Sequence, residues 1–320
     1  MLRRDYHLRG GNNMFGFIIR RSAQSLIAVV GLLILVFFLS RLTGDPAYLY
    51  LPLDSSEAQR QAFSETHGFN DPLIVQFGRY LADLAHFDFG QALSRNRPAM
   101  EVALEAFPQT LKLAVIAIGL ALCLAIVVGS LAAARANSLF DRFASTASLA
   151  GASAPDFWVA IVAILVFAVA LGWLPTSGTG TALHWIMPIF VLTLRPFGLL
   201  VQVVRGTMIS ALGSAYVKTA RAKGVKRSRI IFKHALRNSL LPVITVAGDL
   251  AASLVNGAVV VETIFGWPGI GKLMIDAITR RDFALIQATV LITAIAIFVL
   301  NIAIDLIYAR LDPRIRFQTR

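Results

Sequence analysis

Leu113–Ala134 reads LAVIAIGLALCLAIVVGSLAAA, 22 residues without a charge. As a helix it is about 33 Å long, enough to cross a hydrocarbon core of about 30 Å. In lipid an α-helix satisfies its own backbone amides, and an isolated extended segment does not. Ser22–Ser40 and Phe283–Ile304 run without a charge for 19 and 22 residues. Three further apolar stretches are interrupted. One runs from about Phe143 to Gly172 and contains Pro155-Asp156; one runs from His184 to Val204 and contains Arg195-Pro196; the third, Asn238–Val261, contains Asp249. The reading is an all-α polytopic membrane protein with six transmembrane helices. Composition agrees: of 320 residues 57% are hydrophobic and 15% charged, with a mean hydropathy of +0.69. Soluble domains carry about 25% charged residues, so a soluble globular chain and a disordered one are both excluded. The single Cys123 excludes a disulfide scaffold.

The net charge of +12 is explained by sidedness. Segments 1–21, 135–142, 205–237 and 310–320 hold twenty of the thirty Lys and Arg, and six spans put all four segments on one side. Positive loops stay inside, so both termini are expected in the cytoplasm. The outer segment 41–112 carries nine acids against six bases. A nucleic-acid face would not sort with membrane side, so nucleic acid is not an expected partner. The first span follows Arg3, Arg4, Arg9, Arg20 and Arg21 as a signal peptide would, but its apolar part is long and no small-x-small cleavage site precedes the exit at Arg41–Pro46. It reads as a retained anchor. The expected divisions are an inner N-terminus (1–21), a first span (22–40), an outer region (41–107), a core of five spans (108–310) and an inner C-terminus (311–320).

Long connections tend to be functional. In the outer region Leu73, Phe77, Tyr80, Leu81 and Leu84 recur at helical spacing, which predicts an amphipathic helix on the membrane or the bundle. The inner loop 206–237 contains Ala215-Tyr-Val-Lys-Thr-Ala-Arg-Ala-Lys-Gly224. Ser214 is the expected N-cap and Gly224 the residue closing the C-terminus of a helix of about ten residues. Ser228 is the expected cap of a second helix entering the fifth span. Ala215, Thr219 and Ala222 share one face, with Ala220 beside it, and such small side chains admit close approach of a partner. Attraction of the loop's Lys and Arg to anionic lipid is compatible with this, but it requires no helix ended by glycine.

Thr219-Ala-Arg-Ala-Lys-Gly224 followed by His234-Ala-Leu-Arg-Asn-Ser-Leu-Leu-Pro242 resembles the coupling loop of ABC importer permeases of the dipeptide/oligopeptide/nickel family. Lys218-Thr219-Ala220 stand where the general ABC motif has Glu-Ala-Ala, and Arg237 where it has its closing Pro; both departures fit the peptide/nickel branch. Gly-Asp-Pro (44–46), Phe-Gly-Arg-Tyr-Leu (77–81), Phe-Gly-Gln-Ala-Leu (89–93), Phe-Pro-Gln-Thr-Leu (107–111), Ala-Pro-Asp-Phe-Trp (154–158), Gly-Trp-Leu-Pro-Thr-Ser-Gly (172–178) and Phe-Gly-Trp-Pro-Gly-Ile-Gly-Lys-Leu (265–273) extend the resemblance over most of the chain. It implies a type I ABC importer permease fold in the bacterial inner membrane, with 41–107 periplasmic. It also implies a second, similar permease, two ATPase subunits that use ATP and Mg, and a periplasmic receptor. Ala215, Lys218, Thr219, Ala220, Arg221, Ala222 and Gly224 would then form the ATPase-coupling surface. Peptides, nickel chelates, glutathione and antimicrobial peptides all fit the resemblance as substrates.

Asp249, Ser253 and Asn256 fall at i, i+4 and i+7 on the fifth span. Such a stripe lines a water-filled pathway or bonds helices together. Arg195, beside a Pro196 expected to interrupt its helix, is a candidate partner of Asp249 or Asp305. Glu262, Phe265, Gly266, Trp267, Pro268 and Gly269 are expected to shape the outer mouth. Gly266–Lys272 matches the first seven positions of a phosphate-binding loop, but Leu273 supplies no hydroxyl for magnesium and Pro268 removes an amide. No catalytic centre, metal site or nucleotide site is therefore expected in this chain. Gly151-Ala-Ser153-Ala falls short of an intramembrane serine protease signature, and the five histidines include no metal-binding pair. The competing reading is a stand-alone carrier or channel. Such folds often carry inverted repeats, and none is visible here.

Overall fold

The structure is a computed structural model that describes residues 24, 27–39, 51, 55–86 and 88–311. The expected inner N-terminus, the exit motif at 41–46 and residues 312–320 lie outside the described residues, as do the side chains of Asn256 and Asp305. The chain divides into two compact units. Unit 1 comprises residues 1–109 and 268–299, and unit 2 comprises 110–267 and 300–320.

In unit 1, α1 (Ile27–Leu39) presents Leu33 and Phe37 to a core shared with Tyr80, Phe89, Val102, Leu273, Phe283 and Leu285. Helix α2 (Glu57–Thr66) opens with a capping box, in which Ser56 and Gln59 each accept the other's backbone N–H. Helix α3 (Leu73–Ala85) is the amphipathic segment that the spacing predicts, rotated from the expected face. Gln76 and Tyr80 are buried, with Phe77 and Leu84 half-buried, whereas Leu73 and Leu81 are exposed. The rotation follows from Gln76, whose amide donates to Phe69 O (3.0 Å) and Asp71 O (2.8 Å), and from the stacking of Tyr80 on Phe37 (5.0 Å). A two-residue antiparallel ladder of β1 (Gln91–Ala92) and β2 (Arg97–Pro98) leads into α4 (Ala99–Ala134), whose first turns belong to unit 1 and the rest to unit 2.

Unit 2 is built on antiparallel helix packing. Helix α5 (Leu139–Ser153) ends at Ala154-Pro155, and the following helix, α6 (Asp156–Ala163) continued by a π-helical stretch (Ile164–Ala170), turns away by 100°. The third span is therefore not one straight helix. Proline disfavours helical backbone in the residue before it, and Ala154 is extended at ψ 130°. Helix α7 (Leu183–Gly213) passes through both Pro188 and Pro196, so the interruption expected at Pro196 does not occur. Membrane helices tolerate proline where neighbours satisfy the freed backbone groups. After α8 (Ala215–Ala222), a turn of helix α9 (Arg227–Arg229) and a π-helical stretch (Ile230–Ala235) run into α10 (Leu236–Ile264). Helices α11 (Ile270–Thr279) and α12 (Phe283–Leu311) complete the chain. Among the described residues four helices are long and apolar enough to cross a membrane, and the bent pair makes five if it is one span.

Candidate coupling and pathway sites

Helix α8 is a small, firmly terminated rod. Ser214 is its N-cap by backbone conformation, but its hydroxyl donates back to Ala211 O of α7 (2.6 Å) instead of capping α8. At the other end Gly224 sits at φ +73°, and its N–H donates to Arg221 O (3.0 Å) while Val225 N–H reaches Ala220 O (3.1 Å). These two bonds make a Schellman turn, which requires a left-handed residue after the cap and so selects glycine. Val217 is fully buried, and the rod lies against α7 and the π-helical stretch. Ala215, Lys218, Thr219, Arg221, Ala222 and Gly224 are exposed and Ala220 is half-buried, so the sequence-predicted residues form one accessible surface. Ser228 does not cap the second helix. Lys226 does so by backbone alone, one residue before Arg227, whose guanidinium donates to Ala134 O at the end of α4 (2.7 Å).

The base of this rod is tied into the bundle by residues that sequence reasoning missed. Along α7, Leu194, Gly198, Gln202 and Arg205 meet Gly151, Ser148 with Ala152, Ser145 with Ser148, and Asp141 on α5. A Cβ on Gly198 would lie 2.2 Å from Ser148 O. Gln202 Nε2 donates to Ser145 O (3.0 Å) and Ser148 Oγ (2.7 Å). Arg205 grips the carboxylate of Asp141 with both Nε and Nη2, the latter at 2.8 Å, and Asn137 N–H adds a further bond of 2.8 Å. The available signal was the near-i+4 repeat of small and polar residues in both helices, which in membranes marks close helix contact.

The stripe on α10 is exposed at Asp249 and Ser253, although Ser253 Oγ also bonds its own helix at Leu250 O (2.8 Å). Arg195 is exposed on α7, and among the described residues it makes no ion pair with Asp249. The turn after α10 is a second Schellman turn around Gly266 (φ +62°), with Trp267 N–H on Glu262 O (2.8 Å). Here the expected mouth residues divide. Glu262, Phe265, Trp267 and Gly269 are buried, Gly266 is half-buried and Pro268 is exposed. Glu262 accepts the hydroxyl of Thr110 (2.5 Å), and Trp267 meets Trp185 edge-on at 4.5 Å. Lys272, the seventh residue of the loop-like motif, pairs with Asp276 at 2.6 Å.

Residues 125–317, more than half of the chain, match the family described as binding-protein-dependent transport system inner membrane component. The chain belongs to that family. It is 39% identical over 316 residues to the oligopeptide transport system permease protein AppB of Bacillus subtilis, covering 95% of this chain and 100% of that protein. It is 37% identical to the di/tripeptide transport system permease protein DppB of Pseudomonas aeruginosa and 34% to the glutathione transport system permease protein GsiC of Pectobacterium atrosepticum, each covering 95% of this chain and 100% of the relative. The fold is similar to the crystal structure of an amino acid ABC transporter with histidines, at a TM-score of 0.52 and 14% identity over 66% of this chain and 94% of that one. This permease is thus a multi-pass inner-membrane ABC importer component, and the stand-alone carrier reading is set aside.

Proposed function

We propose that this permease is the non-catalytic half of a peptide importer, pairing with a second similar permease, receiving solute from a soluble receptor and taking its energy from two ATPase subunits that bind ATP and Mg. Six spans with both termini inside, α1 and the bent α5–α6 pair each counting once, accommodate the charge distribution best. The observation that carries the reading is α8. It is a rod closed at its C-terminus by the Gly224 turn, anchored by the buried Val217, exposing a small-residue and basic face, and attached by Ser214 to the end of α7. Closure of the ATPases would displace this rod, and the α5–α7 seam would pass the displacement on as a rigid movement between two states. Peptide as the substrate class is supported by relatives of full coverage that are described as oligopeptide, di/tripeptide and glutathione permeases.

Substituting Gly224→Val tests the coupling. A Cβ there meets nothing within 4 Å, so the variant is not excluded by packing, but the left-handed backbone is strained for a branched side chain. The expected result is normal membrane insertion with ATPase subunits no longer co-purifying, or co-purifying without solute-stimulated hydrolysis. Wild-type coupling in this variant would remove α8 as the docking element.

A further inference from the structure

Unit 1 carries a half-open cavity of about 360 Å³ that neither the coupling surface nor the polar stripe uses. Small-molecule pockets begin at about this size. Its walls come from the turn after α2 (His67–Phe69), from α3, from Phe89–Gln91 and from the start of α12. Most polar groups around it are spent within the chain. Gln76 is bonded to Phe69 O and Asp71 O. Asp282, fully buried, accepts from Ser94 N–H (2.9 Å), Ser94 Oγ (2.7 Å) and Leu285 N–H (3.2 Å). Arg79 pairs with Asp71 at 2.7 Å, and Asp88 accepts Gly90 N–H (2.8 Å).

Gln287 and Asp83 are unspent. Gln287 lines the cavity with only 4% of its surface exposed, and its Nε2 has no hydrogen-bond partner. Native proteins rarely strand a buried donor, because it has lost water without gaining an acceptor. Asp83 is an exposed lining residue whose carboxylate has no ion-pair or hydrogen-bond partner among the described residues. With Arg79 neutralised by Asp71, the cavity is left net acidic. We propose that this cavity binds a small solute carrying a primary ammonium beside a carbonyl group. The carbonyl oxygen accepts from Gln287 Nε2, and the ammonium is held by Asp83 with the remaining oxygen of Asp88. A cation alone would leave Gln287 unsatisfied, and a carboxylate alone would be repelled by Asp83 and Asp88. The site belongs to unit 1 and does not depend on docking at α8.

Dialanine amide is a suitable probe, since it has a free amine and a carbonyl but no carboxylate. Its binding to the full-length permease in lipid nanodiscs would be measured calorimetrically beside that of its N-acetyl form. Wild type should bind dialanine amide saturably, and N-acetylation, Gln287→Leu and Asp83→Asn should each weaken binding about 10-fold. Gln287→Leu removes a stranded donor and should melt no lower than wild type, and Asp83→Asn alters an exposed residue, so loss of fold would not mimic the result. Equal binding of the two probes, undiminished binding in either variant, or no saturable binding by wild type would each overturn the proposal. No ATPase takes part in this measurement, so its failure is distinct from failure of the coupling reading.

Discussion

Asp141 is the residue whose role was hardest to read from the chain alone. It lies at the start of α5, close to a short connection between two apolar runs, and its partner Arg205 is 64 residues away. No local period relates two such positions. Only the antiparallel course of α5 against α7 brings them together. The Asp141 side chain is 2% exposed and that of Arg205 27%, so the carboxylate depends on the guanidinium for the hydration it has lost. Removing one partner from such a pair costs about 3 kcal/mol, whereas replacing both by apolar groups is often close to neutral. Arg205→Leu should therefore lower the melting temperature of the detergent-solubilised permease markedly, and Asp141→Leu combined with Arg205→Leu should restore most of it. A double variant as unstable as the single one would show that the pair does more than compensate its own burial. Glu262 makes the same point about sequence reading: its distance from the stripe was legible, but its burial against Thr110 was not.

At the scale of elements, hydropathy located four membrane-length helices and the bent pair, and it judged the effect of their prolines unevenly. Prolines within apolar stretches met different fates. Pro155 ends α5, whereas Pro188 and Pro196 lie inside α7. The sequence carries the local penalty of each proline, but whether neighbouring helices offset it is a tertiary property. The Gly224 turn was legible because a Schellman turn is local, and the seam between α5 and α7 was not, because it is built from the spacing of two helices at once. The glycines separate these two kinds of information. Gly198 faces Ser148 O and Ala152 with no room for a methyl group, while Gly224 faces open space but holds a left-handed backbone. Gly198→Ala should overpack the seam at a cost of about 2 kcal/mol, and Gly224→Ala should cost about 1 kcal/mol of backbone strain. Thermal denaturation should thus rank Gly198→Ala below Gly224→Ala, while ATPase association should rank them the other way. The same order in both measurements would mean that α8 and the seam are not separate devices.

For the whole molecule, the question is what covers its surface. Much of that surface is apolar: Val115, Leu124 and Val127 on α4 and Phe190 on α7 are exposed, as a lipid-facing surface requires. Asp249 and Ser253 are exposed as well, although they lie in a helix long and apolar enough to cross a membrane. A carboxylate facing hydrocarbon costs about 2.5–3.5 kcal/mol on insertion scales, so such residues face water or protein. The chain supplies its own reference for the distinction, since its single cysteine, Cys123, is exposed on the apolar run of α4. Thiols react as thiolates, and a thiolate does not form in lipid. In a Cys123→Ser background, Ser253→Cys changes one atom and places a thiol on the stripe. If the stripe lines the pathway, a hydrophilic maleimide should label Ser253→Cys in the assembled importer more than about 10-fold faster than it labels Cys123 in the wild type, and dipeptide should slow that labelling. Labelling as slow as that of Cys123 would place the stripe against lipid or buried in a subunit interface, and Asp249 would then serve assembly instead of passage. Fast labelling that dipeptide does not slow would leave the stripe in water but outside the route of the solute. Asp249→Asn separates these outcomes by function, since a pathway residue should lose transport at normal expression, whereas an interface residue should lose the second permease on purification.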